Sequence, residues 1–379
     1  TQQSEPINAD KDLSKHEAQM ECLSQLTMEY LIEACTKLGI FTRAGDSCTV
    51  AEFLERGKLP AAHTLLIGRW LELLAGADLI ARDGEGYRSA APLRESQKDS
   101  VVAAGREAFA NTQYLLDYVV ASGDNLVGIL TEATSPLEVL FPGGSLEVAD
   151  NLYGHWPVAR YFNSILRQAL QSVFAALPRS KRVRVLEPGA GSGGTAGTLL
   201  PAMPAERLAY TYTDVSNFFF DRVQAKFHEL TAGSYDIIVR SNVLHATHNV
   251  EQAAKNLFEL LAPGGFVLVY EITEMLPWFN ITTGLLEAWQ RFDDSLRDDI
   301  PLMSAELWNR LLVSTGFEGL PIFPADESRP SVLGQHVLLF QKPTTVGAGA
   351  AVGGGQAAKA KAAAQSAWTY DMKWQTARA

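Results

Sequence analysis

The stretch Lys181–Gly194, KRVRVLEPGAGSGG, carries the strongest structural signal in this chain of 379 residues. An alternating apolar segment ends at Glu187, and glycines then follow at almost every second position. Because glycine has no Cβ, such a loop turns tightly and lets the backbone approach a ligand closely. The pattern predicts a buried strand, a ligand-binding loop and then a helix over Thr195–Pro204.

Beyond this loop, short apolar segments alternate with helical patterns as far as residue 343. The further strands are predicted at 208–214, 235–247, 266–273 and 334–342, and the helices between them at 217–229, 250–261 and within 282–315. Strands separated by helices in this rhythm predict a doubly wound, mostly parallel sheet of the α/β class. Residues 176–343 are therefore predicted to form one α/β core domain.

Residues 1–175 show mainly helical patterns and are predicted to form a separate N-terminal subdomain. Its predicted elements are a helix around Met20–Cys35, a helix over Val50–Gly57 capped by Thr49, a helix over Thr64–Leu74 and a hairpin within Asp78–Ala90. This order resembles a winged helix, which is a DNA-binding arrangement. The third helix carries a single basic residue, Arg69, and the chain has a net charge of −11. A packing or dimerisation module is therefore favoured, and nucleic acid is not expected as a partner.

The composition, with 47% hydrophobic and 20% charged residues, excludes a disordered chain. The chain contains no run of about 18 apolar residues, so no membrane span is predicted. The N-terminus lacks the basic and apolar regions of a signal peptide. Three cysteines, Cys22, Cys35 and Cys48, have no metal-ligand spacing. We therefore expect a soluble cytoplasmic protein with reduced cysteines, no metal and no membrane partner.

Acidic residues around the glycine loop indicate its ligand. Glu187 precedes Gly189 by two residues, whereas a dinucleotide loop has the spacing G-x-G-x-x-G with its acid about 20 residues later. Asp214 ends the next predicted strand, where a carboxylate can accept both ribose hydroxyls. No Lys-Ser/Thr pair for a triphosphate follows Gly191. S-adenosylmethionine, with its cationic amino and sulfonium groups, fits this pattern best, and a glycine turn without a ligand is the alternative.

Two polar residues mark the ends of two neighbouring predicted strands. His245 follows the strand that ends in SNVLHATHN, and Glu271 lies at the end of FVLVYEIT. Because the carboxyl ends of parallel strands meet at one edge, the carboxylate is expected to hold one imidazole nitrogen and leave the other as a general base. His245 and Glu271 are the predicted catalytic pair, and a structural histidine is the alternative. His248 is expected to be merely exposed.

With these motifs in place, the sequence resembles the carbon-methyltransferase domains of modular polyketide synthases over nearly its whole length. The segment Pro136–Ser145 (PLEVLFPGGS), followed by Asn151–Tyr153, resembles the family's junction between lid and core. Residues 1–175 resemble the helical lid subdomain of this family. Residues 344–379 read as a Gly/Ala-rich linker followed by WTYDMKW, which resembles the first strand of a ketoreductase-like domain.

The resemblance implies a Rossmann-like class I methyltransferase fold that binds S-adenosylmethionine and releases S-adenosylhomocysteine. The cofactor-binding residues that it implies are Glu187, Gly189, Gly191, Asp214, Asn242 and Leu244. It also implies that His245 and Glu271 form a catalytic dyad. An active-site tyrosine from the lid corresponds to Tyr153, with Trp156 and Tyr161 as alternatives for the same space.

The implied substrate is a β-ketoacyl chain on the phosphopantetheine arm of an acyl carrier protein, methylated at its α carbon. Neighbouring domains of the parent synthase are the other implied partners. An O-methyltransferase acting on the β-oxygen and a non-catalytic scaffold are alternatives that the motifs leave open. Pro188 departs from the family's aliphatic residue, and a strand that the fold usually has between Phe227 and Ser234 is missing. The basic residues suggested for docking of an acidic carrier protein are Arg160, Arg167, Arg179, Lys181 and Arg182.

Overall fold

The computed structural model describes residues 15–214, 225–226, 232–325, 328–344 and 375–378. The chain divides into two compact units. The first unit contains the described residues up to Pro157 together with Met275–Phe292 and Arg297–Pro301. The second unit contains Val158–Glu274, Asp293–Leu296 and the described residues from Leu302 onward. The first unit is therefore assembled from three separate stretches of chain.

The first unit is mainly helical. Its helices are α1 (His16–Lys37), α2 (Val50–Gly57), α3 (Thr64–Gly76), α4 (Lys98–Gly105), α5 (Gln113–Asp124), α6 (Leu126–Leu130), α7 (Pro136–Leu140) and α8 (Glu147–Asp150), followed by a π-helical turn at Asn151–His155. Strands β1 (Ser47–Cys48), β2 (Ala81–Asp83) and β3 (Gly86–Arg88) form an antiparallel sheet in the order β1-β3-β2. Thus the predicted hairpin is confirmed, and it gains a third strand.

The predicted cap of α2 is also confirmed. The Thr49 hydroxyl accepts the backbone N–H of Glu52 at 3.2 Å, and the Glu52 carboxylate accepts the backbone N–H of Thr49 at 2.8 Å. This reciprocal pair is a capping box, which satisfies two backbone donors that a helix start leaves without partners. None of the described helices is both long enough and apolar enough to cross a bilayer.

The stretch Met275–Phe292 joins the first unit through side chains of α3. The Nε of Arg69 donates to Oδ1 of Asn280 at 2.9 Å, and the indole N–H of Trp70 donates to the Asn280 carbonyl at 3.2 Å. Further apolar side chains of the stretch are buried, among them Trp278, Phe279 and Ile281. The first unit therefore depends on residues that follow the core strands in sequence.

The second unit is built around an eight-stranded mixed sheet with helices. The helices are α9 (Pro157–Ala176), α10 (Gly194–Leu199), α11 (Val250–Leu260) and α12 (Ala305–Thr315). The strands are β4 (Val183–Pro188), β5 (Leu208–Asp214), β6 (Ala225–Lys226), β7 (Tyr235–Ser241), β8 (Leu261–Ile272), β9 (Glu318–Phe323), β10 (Gln335–Gln341) and β11 (Gln375–Arg378), in the sheet order β6-β11-β5-β4-β7-β8-β10-β9.

The centre of this sheet is parallel and its borders are antiparallel. Strands β5, β4, β7 and β8 are neighbours that run in one direction. Strand β10 runs antiparallel to β8 and β9, and β11 runs antiparallel to β5 and β6. One apolar face packs against α11 and α12, with Ile238, Val267 and Leu338 among the buried strand residues and Trp308 on α12. This architecture confirms the predicted class I methyltransferase fold.

Helix α9 lies on the sheet side of the division, so the observed division at Pro157 differs from the predicted domain boundary at residue 175. The reason is its packing. The ring of Phe162 stacks on Tyr270 of β8 with centroids 5.2 Å apart, and Thr195 at the start of α10 donates to Oδ1 of Asn163 at 3.2 Å. A helical pattern alone does not tell which neighbour a helix packs against.

Between β8 and β10 one expectation was wrong and one strand was missed. The predicted helical content within 282–315 is confined to α12, and three short 3₁₀ turns at Pro277–Ile281, Thr283–Leu285 and Glu287–Trp289 replace the rest. Strand β9 has no predicted counterpart. The predicted helix at 217–229 falls largely outside the described residues. Within that range the structure describes only Ala225–Lys226, which form β6. Residues 227–231, where the usual fold would have a further strand, also lie outside the described residues. So do most of the linker and the segment WTYDMKW.

Candidate active site

The predicted site residues of the second unit converge at one edge of its sheet. Because β5, β4, β7 and β8 are parallel neighbours, their carboxyl ends lie side by side. Glu187 and Asp214 belong to the ends of β4 and β5, and Glu271 belongs to the end of β8. His245 lies in the loop that follows β7. In open α/β sheets this edge is where ligands bind.

The glycine loop has a backbone that other residues would not adopt easily. Gly189 has a φ of +74°, and a Cβ added there would lie 2.4 Å from Cγ2 of Val243. Its N–H donates to the Thr213 carbonyl at 2.7 Å, so the loop is fastened to the end of β5. Gly191 has a φ of +55° and donates its N–H to Oδ2 of Asp214 at 2.8 Å. These contacts bring the predicted cofactor residues of β4 and β5 together.

Glu187 is a buried acid at the base of this loop. Its side chain is 2% exposed, and Oε2 accepts the hydroxyl of Tyr210 at 2.7 Å. Burial raises the pKa of Glu187 to about 7, the nearby charge of Asp214 adds to this, and the Tyr210 hydrogen bond opposes it. None of the described ion pairs includes Glu187. A buried carboxylate of this kind suits a ligand that carries its own positive charge.

His245 and Glu271 form a close hydrogen-bonded pair in the site. Nδ1 of His245 lies 2.6 Å from Oε2 of Glu271, and the two side chains are 4% and 0% exposed. The other carboxylate oxygen, Oε1, accepts the backbone N–H groups of Val243 and Leu244 at 3.0 and 2.7 Å. Glu271 therefore fixes both the imidazole and the loop that carries it. Because Glu271 engages Nδ1, it orients the imidazole ring of His245.

Asn242 and Leu244 are placed beside this pair, each in a structural contact. Asn242 adopts a φ of +50°, and its Oδ1 accepts the N–H of Ile272 at 2.9 Å. The Leu244 side chain is buried in the apolar core next to α11. Asparagine tolerates the left-handed region better than most residues, which explains its position at this turn. Their predicted contacts with a cofactor stay predictions.

The remaining sequence candidates belong to other elements. Tyr153 lies in the π-helical turn of the first unit and is 37% exposed. Trp156 is buried in the same unit and contacts Trp278 edge to face. Tyr161 lies on α9, with its ring against Phe162. His248 is exposed, as expected, and pairs with Asp293 at 2.9 Å.

The suggested docking residues Arg179, Lys181 and Arg182 precede β4, at the amino end of the parallel strands and so at the opposite edge from the site. Lys181 already pairs with Asp236 at 3.1 Å. This part of the basic group is therefore not adjacent to the glycine loop, and it carries no docking argument.

Two contacts of the site escaped the sequence analysis. The Thr195 hydroxyl lies 2.9 Å from that of Ser241, and this hydrogen bond joins the start of α10 to the end of β7. Arg240, which is 2% exposed, donates from Nη1 to the carbonyl of Pro188 at 2.9 Å. The only sequence signal for Arg240 was a charged residue that directly follows the apolar segment IIV in the strand YDIIVRS.

Comparison with known proteins agrees with this geometry. Residues 158–322 match a family model described as a methyltransferase domain. The polyketide synthase ThaQ of Burkholderia thailandensis is 32% identical over 73% of this chain and 15% of its own length. The non-reducing polyketide synthase adrD of Penicillium rubens is 26% identical over 81% of this chain and 13% of its own length. The chain thus spans a small part of the curated relatives that it matches.

Solved structures share the fold. The CurJ carbon methyltransferase has a TM-score of 0.79 at 24% identity and covers 89% of this chain and 99% of its own. The carbon-methyltransferase domain of the citrinin polyketide synthase has a TM-score of 0.75 at 22% identity, with coverages of 89% and 95%. Fold and site define a class I S-adenosylmethionine-dependent methyltransferase. More particularly, the chain is homologous to the methyltransferase domains of polyketide synthases.

Proposed function

We propose that this chain methylates the α carbon of a β-ketoacyl thioester carried on the phosphopantetheine arm of an acyl carrier protein. The observation that carries the proposal is the buried pair of His245 and Glu271, 2.6 Å apart at the carboxyl edge of the sheet. The relatives are polyketide synthases, and the similar structures include carbon methyltransferases. Both facts support a carbon acceptor within a synthase, with neighbouring domains as further partners.

The residues of the glycine loop fit S-adenosylmethionine. Glu187 is a buried carboxylate outside the described ion pairs, and the backbone at Gly189 leaves no room for a Cβ. We assign Glu187 to the amino group of the cofactor, Asp214 to its ribose, and Gly189 and Gly191 to the close backbone approach. When bound, the cofactor supplies an electrophilic methyl group and leaves as S-adenosylhomocysteine.

The dyad supplies the base. An α-proton between two carbonyl groups is acidic enough for a neutral imidazole to remove, so Nε2 of His245 accepts it and an enolate forms. The carboxylate of Glu271 stabilises the imidazolium through the bond to Nδ1. Both side chains are buried, and hence this interaction is little screened by water. The proposed role of Tyr153 as a further active-site residue rests on the family resemblance.

The experiment that tests this proposal follows the α-proton. An acyl carrier protein loaded with an α-deuterated β-ketoacyl chain is incubated with the protein and methyl-labelled S-adenosylmethionine, and its intact mass is measured. We expect the gain of one labelled methyl group with the loss of an α-deuteron, beyond the exchange seen without the protein.

Other outcomes contradict the proposal in different ways. A methyl group that fragmentation of the product places on the β-oxygen, or a methyl group gained only on a β-hydroxyacyl chain with both deuterons retained, would show transfer to oxygen. No transfer to any chain together with no binding of S-adenosylhomocysteine would show a scaffold. Thermal stabilisation by S-adenosylhomocysteine reports this binding directly, because a ligand of the native state raises its stability.

Binding of S-adenosylhomocysteine is expected to weaken as the pH falls through about 7, the pKa of Glu187. Because this pKa is raised, the carboxyl group is neutral below that pH, and the amino group of the ligand must displace a proton to bind. The affinity should then fall by up to about tenfold per pH unit. Calorimetric titrations between pH 5.5 and 8.5, in buffers with different ionisation heats, measure both the affinity and the protons released.

Two variants serve as controls for this pH dependence. Glu187→Gln should bind weakly at every pH, with no pH dependence in this range. Tyr210→Phe removes the hydrogen bond that lowers the pKa of Glu187, so it should move the midpoint to higher pH. An affinity that stays constant between pH 6 and 8 in the unchanged protein would show that Glu187 does not receive the amino group.

A further inference from the structure

Arg240 is a buried cation beneath the proposed active site. It lies near the end of β7, with the glycine loop on one side and the end of β8 on the other. Nη1 donates to the Pro188 carbonyl at 2.9 Å, and the buried Nε has no hydrogen-bond partner among the described residues. None of the described ion pairs includes this guanidinium. Burying a charge without an ion-pair partner is unfavourable, so nearby groups are expected to stabilise this guanidinium in another way.

The electrostatic surroundings of Arg240 supply that stabilisation. Burial lowers the pKa of Arg240 to about 10, while the carboxylates of Glu271 and Asp214 act in the opposite direction. The charge of Arg240 is therefore stabilised at longer range by two acids, Asp214 at the end of β5 and Glu271 at the end of β8. The other buried cationic side chain among the described residues of the second unit, Lys342, donates to the carbonyls of Phe258 and Leu261 instead.

The site holds more negative than positive charge without Arg240. Glu187 on β4, Asp214 on β5 and Glu271 on β8 are all buried at the same edge, and His245 must be neutral to act as a base. Three buried carboxyl groups at one edge disfavour one another's ionisation. A buried cation at the same edge offsets part of this concentration of acidic groups.

We propose that Arg240 is a positioning residue of the site: its guanidinium holds the glycine loop through the Pro188 carbonyl, and its charge offsets the buried carboxyl groups of Asp214 on β5 and Glu271 on β8. This proposal rests on the proposed function for the role of the dyad. The hydrogen bond and the charge make separate contributions. A substitution that keeps the charge should therefore preserve part of the function.

The matched pair Arg240→Lys and Arg240→Met separates these contributions, because the two side chains are similar in length and differ in charge. Both should lose the geometry of the guanidinium contact with Pro188. We expect the acid limb of the pH–rate profile for methyl transfer to lie about one pH unit higher in Arg240→Met than in Arg240→Lys. We also expect S-adenosylhomocysteine to bind about tenfold more weakly to Arg240→Met than to Arg240→Lys at pH 7.

Equal pH profiles and equal affinities for the two variants would overturn the proposal, because a purely structural role depends on shape and not on charge. The affinity comparison needs no activity, so it decides the role of Arg240 even if the unchanged protein transfers no methyl group, which would count against the proposed function alone. If Arg240→Met does not fold, the double variant Arg240→Met/Glu271→Gln removes the opposing charges together and should fold. Failure of that variant as well would also overturn the proposal.

Discussion

Replacing His245 with alanine is expected to slow methyl transfer by about 10²–10⁴-fold, the usual contribution of a general base. Affinity for S-adenosylhomocysteine should stay within about threefold, because Glu187 and Asp214, which are assigned to the amino group and the ribose, lie on β4 and β5, whereas His245 follows β7. Rapid-quench single-turnover reactions with a loaded carrier protein measure the rate of transfer. Calorimetry of the same preparations measures the affinity.

The chain offers a matched control three residues further on. His248 lies in the same loop, is exposed and pairs with Asp293 at 2.9 Å, so His248→Ala should change the rate by less than about twofold. Since Glu271 also holds the backbone of Val243 and Leu244, loss of the imidazole should leave the loop in place. Parallel losses of rate and cofactor affinity in His245→Ala would identify a structural histidine instead.

Gly189→Ala should nearly abolish cofactor binding. The new Cβ would lie 2.4 Å from Cγ2 of Val243, at a backbone φ of +74° that alanine rarely adopts. The unfavourable backbone and the overpacking together should destabilise the native loop by about 2–4 kcal/mol. The chain can relieve this only if it moves the loop away from Thr213, whose carbonyl Gly189 contacts. Calorimetric titration with S-adenosylhomocysteine should show at least a hundredfold loss of affinity.

Two other glycines calibrate this result. A Cβ at Gly197 in α10 has no neighbour within 4 Å, so Gly197→Ala should be neutral or slightly stabilising. A Cβ at Gly191 also has no neighbour within 4 Å, but its φ is +55°, so Gly191→Ala should be intermediate. If Gly189→Ala bound the ligand as well as Gly197→Ala, the loop would not be the cofactor cradle. Thermal unfolding of all three variants separates loss of binding from loss of the fold.

The central part of the fold could be predicted because its local pattern and its long-range structure agree. Apolar strands that end in polar residues have to be buried in a parallel sheet, and this rule places Glu187, Asp214 and Glu271 at one edge. The spacing of His245 and Glu271 after consecutive parallel strands predicted their contact, which the structure confirms at 2.6 Å. The functional roles of these residues stay predictions.

The stretch after β8 could not be predicted, because its spacing imitates a helix. Trp278, Ile281, Leu285 and Trp289 recur every three or four residues and are all buried. The backbone instead makes short 3₁₀ turns, and a Cβ added to Gly284 would lie 2.5 Å from the carbonyl of Phe279. So close an approach of backbone atoms five residues apart belongs to the local turn geometry, and hydrophobic periodicity contains no information about it.

Strand β9 and Arg240 were missed for opposite reasons. Strand β9, EGLPIF, contains Gly319 and Pro321, which weaken any strand prediction, yet it lies at the edge of the sheet, where proline is tolerated. Arg240 interrupts a strong strand pattern, and its importance depends on Pro188 and Glu271, both distant in sequence. A single sequence reveals neither an edge position nor the charges across a sheet.

The discontinuous first unit limits how this domain can be exchanged between synthases. A recombination junction at Pro157 would separate α3 from Asn280. It would also remove the N-terminal part of the unit in which Trp278 and Phe279 are buried. Exposed apolar surface of this kind favours aggregation. A chimera with a foreign N-terminal unit must therefore take all residues up to Pro301 from the same source. That segment includes the four parallel strands. Gene shuffling can thus transfer the helical unit only together with His245 and Glu271, and the smallest exchangeable block is nearly the whole domain.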